Sequence, residues 1–232
     1  MKSLAKFEWM DLGLIGYDEA FAMQTALHQR CKESAGRGTI LFQENFHVIT
    51  FGRWACVENL LVSQETLQQR GVTLRSVSRG GDVTYHGPGQ LVISPIFKLR
   101  EMELGVHHYV RLLEQVVINL LATHGINGIR VDGASGVWLG DKKIAAVGIA
   151  VRSGITQHGV AINVCPDLSY FDFIVPCGLR NRGVTSMQAR AVEAVSLQSI
   201  RDRFLSEFAT VFEVEIEKDQ LLFERTEPCY VK

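Results

Sequence analysis

Between Gly136 and Val164 the chain offers strand-forming residues with only short links between them. Residues 136–139 and 143–151 flank Gly140-Asp141, a pair suited to a tight hairpin turn, and residues 156–164 follow as a further strand. Such short turns between neighbouring strands suggest a mixed or antiparallel sheet rather than a regular βαβ alternation. Upstream, 39–43 and 47–51 read as strands with 43–46 as the turn between them, and 73–76 and 90–97 as strands around a glycine-rich stretch. Helical periodicity marks 17–34, where Ala20, Met23, Leu27 and Cys31 share a face, and 106–124, with a Val110, Leu113, Val117 and Leu120 stripe that stops at Gly125. It also marks 196–212, with Leu197, Ile200, Phe204, Phe208 and Val211. A short helix over 63–70 has Ser63 as N-cap and Gly71 past its end. Residues 213–217 form a closing strand. Strands outnumber helices, and the expected class is α+β: a two-layer arrangement of a mixed, mainly antiparallel sheet packed with helices.

Nothing in the 232 residues marks a repeat, a low-complexity tract or a Pro/Ser-rich linker, so 1–232 reads as one catalytic-size domain. Hydrophobic residues make up 47 % and charged residues 21 %, with a net charge of -1. That balance provides no general attraction to nucleic acid or to an anionic membrane. No apolar run is long enough to span a bilayer, and Glu8 and Asp11 interrupt any signal-peptide core, so a cytoplasmic location is expected. The five cysteines, Cys31, Cys56, Cys165, Cys177 and Cys229, form no C-x-x-C pair and should remain reduced. No zinc-type Cys/His spacing and no H-E-x-x-H occurs, and His107 and His108 diverge on a helix, so no metal or other cofactor is expected.

Three segments depart from ordinary core. In Arg79-Gly-Gly-Asp-Val-Thr-Tyr-His86, followed by Gly87-Pro-Gly-Gln90, paired glycines permit close backbone approach beside polar side chains. It is neither a Walker loop nor G-x-G-x-x-G. In Gly140-Asp-Lys-Lys-Ile-Ala-Ala-Val-Gly148, strand alternation lets only one of Lys142 and Lys143 face a given pocket. Lys143 is followed on its own face by Ala145, which leaves room for a ligand. In Val175-Pro-Cys-Gly-Leu179, Pro176 bends the chain and Gly178 keeps the backbone open, a context suited to a nucleophile beside backbone N–H groups. Each also has a plainer reading: a tight turn, a solvated lysine pair, and a small buried thiol. The other cysteines lack this context: Cys31 lies on a helix face, Cys229 is near the tail, and Cys56 and Cys165 read as structural.

Taken in order, these segments resemble the lipoyl(octanoyl) transferases. The match is carried by Arg79–Gln90, by Gly136-Val-Trp-Leu-Gly-Asp-Lys-Lys-Ile-Ala-Ala-Val-Gly148, by His158-Gly-Val-Ala-Ile-Asn163, by Pro176-Cys-Gly-Leu179 and by Gly183-Val-Thr-Ser186. The resemblance runs from about Asp11 to Ser186. It implies a fold like the catalytic domains of lipoate and biotin protein ligases, with Cys177 carrying the acyl group as a thioester and Lys143 lowering the thiol pKa and shuttling its proton. The acyl substrate would be lined by Arg79, Gly80, Gly81, Asp82, Val83, Thr84, Tyr85 and His86, by Ala146, Val147 and Gly148, and by Gly159, Val160 and Ala161. The implied donor is octanoyl-acyl carrier protein. The implied acceptors are lipoyl domains of 2-oxoacid dehydrogenase complexes and the glycine-cleavage H protein, with no nucleic acid or membrane partner. The family has Glu-His-Pro where this chain reads Glu44-Asn45-Phe46, which places any role of that histidine in question; His47 is near but not equivalent.

An ATP-dependent lipoate or biotin ligase on the same scaffold works through an acyl-adenylate and has no use for a cysteine nucleophile, so the P-C-G-L turn favours the transferase. A non-catalytic module that holds an acylated carrier would not require Lys143 and Cys177 together. Because carrier proteins are generally acidic and this chain is nearly neutral, a local patch must attract the donor; one or both of Arg180 and Arg182, close after Cys177, are expected to dock it, the plainer reading being solvated loop arginines.

Overall fold

The computed structural model describes residues 4–33, 37–175, 182–190 and 195–220. In chain order its elements are β1 (Lys6–Ile15), α1 (Tyr17–Glu33), β2 (Arg37–Asn45), β3 (Val48–Phe51), α2 (Gln64–Gln69), β4 (Thr73–Ser76), β5 (Val83–His86), β6 (Gln90–Ile96), α3 (Val106–Ala122), β7 (Ile129–Val131), β8 (Ala134–Leu139), β9 (Lys142–Arg152), β10 (Ile155–Asn163), β11 (Gly183–Val184), α4 (Leu197–Phe212) and β12 (Glu215–Gln220). Short 3-10 turns at Val57–Asn59, Leu99–Met102 and Leu168–Phe173 complete it.

The large sheet runs β12-β1-β2-β6-β10-β9-β8-β7, with β11 beside β9; a small sheet runs β4-β3-β5. From β2 through β7 every neighbour in the large sheet is antiparallel. The β12–β1–β2 edge and the β11–β9 pair are parallel. Alternation on β2 and β6 divides the core. Ile40, Phe42, Leu91 and Ile93 pack with α3 and α4. Leu41 and Ile96 face the other way, onto Ala20, Leu27 and Cys31 of α1. Period-2 burial on the strands and the apolar stripes of the helices thus build one core on each face.

Two expectations are revised. The strands 39–43 and 47–51 do not pair with each other: β2 belongs to the large sheet and β3 to the small one, where it pairs with β4 and β5. Residues 43–46 therefore carry the chain between sheets. The glycine-rich stretch also contains a strand, β5, whose Val83, Tyr85 and neighbouring Ile49 pack in a separate core with Leu67, Phe171 and Ile174. Caps follow the sequence closely. Ser63 Oγ accepts from the Thr66 N–H, Ser196 Oγ accepts from the Ser199 N–H, and Gly71 and Gly125 take positive φ past their helices.

Candidate active site

A cavity of about 350 Å³ opens where the small sheet meets the large one, bordered by the glycine-rich stretch, β9, β10 and the start of α1. Its shape begins with Arg79. The guanidinium is buried and donates from Nη1 to the carbonyls of Gly80 (3.1 Å) and Asp82 (2.8 Å), and from Nη2 to the carbonyl and hydroxyl of Thr50 (2.8 Å each). The Gly80 N–H reaches the Ile149 carbonyl of β9 at 2.9 Å. One arginine thus folds its own loop and anchors it to β3, while the next residue ties that loop to the large sheet. Asp82 fixes the other side, accepting from the backbone N–H of Cys56 (3.1 Å) and of Val83 (2.7 Å) and from the Asn59 amide.

Of the residues that the resemblance assigned to the substrate, Arg79, Gly80, Gly81, Asp82, Thr84, His86, Ala146, Val147, Gly148, Gly159, Val160 and Ala161 border the cavity. Val83 and Tyr85 do not: on β5 they alternate away from Thr84 and His86 into the small-sheet core. The Tyr85 hydroxyl meets His47 Nδ1 at 2.8 Å, and both rings stack with Tyr170. His47 is thus held in an aromatic stack behind the cavity wall.

His86 starts a chain of hydrogen bonds. Its Nδ1 is 2.6 Å from Gln90 Oε1, the Gln90 amide donates to Asn163 Oδ1 (2.9 Å), and the Asn163 amide donates to the Thr185 carbonyl (3.0 Å). The Thr185 N–H in turn meets the Lys143 carbonyl at 3.0 Å. Burial, with the Arg79 charge added, pushes His86 down to about 4, so it is neutral at neutral pH. His158 is pushed to about 4 by burial first, then by Arg79 and His86. It sits in the left-handed region at φ 57, with its N–H on Gln24 Oε1 (3.0 Å) and its ring stacked on Phe21.

Lys143 is buried on the cavity wall, whereas Lys142 is exposed. Its Nζ lies 4.7 Å from the centre of the buried Trp138 ring, and the Arg182 guanidinium lies 4.9 Å from the same ring. Ala145 does not follow Lys143 into the cavity. Val137 faces Ala145 and Trp138 faces Lys143, so β9 advances two residues where β8 advances one. This bulge resets the alternation: Ala145 turns into the core and Ala146 takes the cavity side. Gly136 makes the bulge possible, at φ 113 and with the Ala145 carbonyl 2.4 Å from where a Cβ would stand. Its N–H is held at 2.9 Å by the buried Glu114 carboxylate of α3, which also accepts from Arg111 and Arg130.

Cys177 and Arg180 lie outside the described residues, as does Cys229. The flanks of the Cys177 segment are placed. The Val175 N–H bonds the Asn59 carbonyl (2.8 Å), and β11 lays Gly183 and Val184 against Lys142 and Lys143. The remaining cysteines border no part of the cavity. Burial raises the thiols of Cys31 and Cys165, and the Glu58 carboxylate raises that of Cys56, which is exposed rather than packed. Among the described residues no three His, Cys, Asp or Glu side chains gather as a metal ion would require.

The cavity also takes residues that motif reading passed over, among them Tyr17, Gln24, Gln43, Asn45, Ser94 and Val110. Gln43 carried a readable signal, a lone amide after Ile40-Leu41-Phe42 in a strand buried on both faces. Asn45, in the position of the family histidine, accepts from the Gln43 amide (3.3 Å) and donates to the Ile15 carbonyl (3.4 Å). Phe46, in place of proline, is exposed.

Comparison with known proteins agrees with this architecture. The lipoyl protein ligase A/B catalytic domain matches residues 16–209. An octanoyltransferase of Solibacter usitatus is 45 % identical over 205 residues, covering 88 % of this chain and 92 % of its own. One of Chloroflexus aggregans is 43 % identical over 206 residues, covering 88 % and 93 %. Among solved structures, a bi-partite lipoate protein ligase from Thermoplasma acidophilum superposes with a TM-score of 0.74 at 18 % identity, covering 94 % of this chain and 88 % of that one. Biotin protein ligase from Aquifex aeolicus, solved with biotin and ATP, gives 0.51 at 12 % identity, covering 92 % and 71 %. No helix among the described residues is long and apolar enough to cross a membrane. The fold is therefore that of the lipoate and biotin ligases, and the chain belongs to the lipoyl protein ligase A/B catalytic-domain family and, within it, to the octanoyltransferases, which are acyltransferase enzymes.

Proposed function

We propose that the 232 residues act as one cytoplasmic catalytic unit that moves an octanoyl group from octanoyl-acyl carrier protein to a lysine of lipoyl-dependent proteins, through a thioester on Cys177. The acceptors are lipoyl domains of 2-oxoacid dehydrogenase complexes and the glycine-cleavage H protein. The observation that supports this reading most directly is the burial of Lys143 on the cavity wall, with the strand that leaves the Cys177 segment laid along it.

An unperturbed cysteine titrates near 8.5, so only a few per cent is thiolate at pH 7. An ammonium within reach that lowers this by about 1.5 units, worth roughly 2 kcal/mol, makes thiolate the major form. The Cys177 sulfur attacks the carrier thioester. The carbonyl becomes an oxyanion that backbone N–H groups beside Cys177 can hold. The C–S bond to the carrier breaks, and its thiolate takes the proton that Lys143 relays. The acceptor amine then attacks the acyl-cysteine, losing its proton by the same relay as the amide forms and the Cys177 thiolate leaves. Thioester to amide is downhill, so no nucleotide enters the balance, and the kinetics are ping-pong.

Mixing the protein with octanoyl-carrier protein and no ATP, then measuring its intact mass, tests this. The expected result is one octanoyl adduct that maps to Cys177, disappears in Cys177→Ala and is discharged by an acceptor domain. Transfer at a normal rate by Cys177→Ala would overturn it, and strict ATP dependence would assign the chain to the adenylating ligases instead.

A further inference from the structure

Walking along β9 away from Lys143, the cavity wall passes Ala146 and reaches Gly148. On β10, Ala161 lies opposite Ala146 and Gly159 opposite Gly148. On β6, Val92 lies opposite Ala161. Small or aliphatic side chains therefore floor the first part of the path. The floor then changes character. The β10–β6 ladder keeps one register from Ile162–Leu91 and Val160–Ile93 to the Thr156–Phe97 hydrogen bond, which puts Ser94 beside Gly159. A Cβ at Gly159 would stand 2.2 Å from the Ile93 carbonyl, so no side chain can screen that stretch. Ser94 Oγ is buried and has no hydrogen-bond partner among the described residues, and the same holds for the Tyr17 hydroxyl at the start of α1 and for Gln43 Oε1 on β2. All three residues border the cavity.

Buried polar atoms ordinarily find partners, and three that do not, around one cavity, mark a place kept for water or a polar group and not for hydrocarbon. The distance fits. Lys143 to Gly148 is roughly 16 Å along the strand at 3.3 Å per residue. An extended eight-carbon chain covers roughly 9 Å, taking C–C bonds of about 1.5 Å at tetrahedral angles. A chain whose carbonyl lies within reach of the Lys143 ammonium ends on the Ala146–Gly148 stretch, where the row of Gly148, Gly159 and Ser94 begins.

We propose that Ser94 and Tyr17 form a polar stop that sets the acyl length this cavity accepts, with Gln43 lateral to the path beside Val92. The proposal deepens the acyl-transfer reading and rests on it for the identity of the ligand. Two or four further methylenes would displace whatever hydrates these atoms and return no hydrogen bond. A hydroxyl at the chain end would be welcome in the same place.

The test is the affinity of octanoic, decanoic, dodecanoic and 8-hydroxyoctanoic acids, measured by calorimetry on the whole protein and on Ser94→Ala, Tyr17→Phe and the double variant. Both changes remove an oxygen and leave the packing frame, and melting curves report that each folds; should Ser94→Ala fail to fold, Tyr17→Phe answers alone. The expected result is a dodecanoate-to-octanoate affinity ratio that rises about tenfold in the double variant, with loss of any gain from the hydroxyl of 8-hydroxyoctanoate. An unchanged ratio, or equal losses for every acid, would overturn the stop. Free-acid binding uses neither Cys177 nor a thioester. A shifted ratio in a protein that makes no acyl-cysteine would therefore sink the catalytic reading and leave this one standing, while normal transfer with an unshifted ratio would do the reverse.

Discussion

Lys143 and Lys142 are neighbours in sequence with opposite surroundings, one buried against Trp138 at the cavity, the other exposed. If the buried ammonium sustains the Cys177 thiolate, Lys143→Ala should move the pH profile of Cys177 alkylation upward by about one unit or more and slow acylation at least tenfold, whereas Lys142→Ala should stay within the small range of surface changes. Alkylation rates against pH on both variants decide it, and equal effects would show that the buried face does not matter. Arg182 invites a second comparison. The sequence suggested a docking cation for an acidic carrier, but the guanidinium lies over the same indole as Lys143. Cation–π contact of this kind is worth about 0.5–2 kcal/mol, depending on desolvation. We propose that a residue so placed acts on the site itself, through the ring that Lys143 also meets. Arg182→Gln should therefore lower kcat/KM for octanoyl-carrier protein and for a small octanoyl thioester by similar factors. Selective loss with the carrier, together with a flattened salt dependence, would restore the docking role.

At the level of elements, the β8–β9 hairpin is where local geometry and chemistry coincide. Its bulge turns Ala145 inward and hands the cavity side to Ala146, and it depends on Gly136 holding φ 113 with Ala145 pressed close. Gly136→Ala adds strained backbone and a steric clash, each of order 1–3 kcal/mol. Thermal melting should show a drop of several degrees, and acyl-adduct formation should fall further than stability alone explains. A variant that melts and acylates like the parent would show that the bulge is dispensable. Much of this region was legible beforehand. The hairpin, its Gly140-Asp141 turn and the helices with their caps follow from periodicity and turn chemistry, which act within a few residues. Periodicity also sets Lys142 and Lys143 on opposite faces, but the choice of Lys143 comes from the family resemblance, because Ala145, expected beside it, turns into the core. The bulge was not legible, because it depends on one glycine meeting a carbonyl across the ladder and on Glu114 reaching in from α3. β5 was hidden by its glycines, and β1 by Asp11 and Glu8, which find Arg201 and Arg30 only in the folded chain. Of the cavity, the glycine-rich motif gave the wall; Tyr17, Gln24 and Ser94 come from elements that only tertiary packing brings there.

Across the whole molecule, the cavity stands on a joint between two sheets, and that joint is built from groups that tolerate little added positive charge. Arg79 fastens its loop to β3, while Gly80 bonds β9. His86 belongs to the small sheet and is tied through Gln90 and Asn163 to the large one. His158 faces Arg79 and His86 from β10, with Ser78 and Phe21 against it and the Tyr17 ring stacked on Phe21 in turn. Both imidazoles are pushed from 6.5 to about 4, chiefly by burial and then by the Arg79 charge. The folded state therefore binds fewer protons than the unfolded chain between pH 6.5 and about 4. The stability these residues contribute is present above pH 6.5 and is lost as pH falls through that window. Because protonating one histidine disfavours protonating the other, the two losses do not add as independent sites. The melting temperature should accordingly be level near pH 7 to 8 and fall steeply below about 6. Exposure of the cavity, followed by fluorescence of an environment-sensitive fatty acid, should accompany the fall. Replacing His158 with Gln, which carries no titrating proton, should flatten the acid limb of the curve relative to its own plateau. A His158→Gln protein whose melting temperature declines with the same slope as the parent between pH 6.5 and 4 would show that the joint is not what acid loosens.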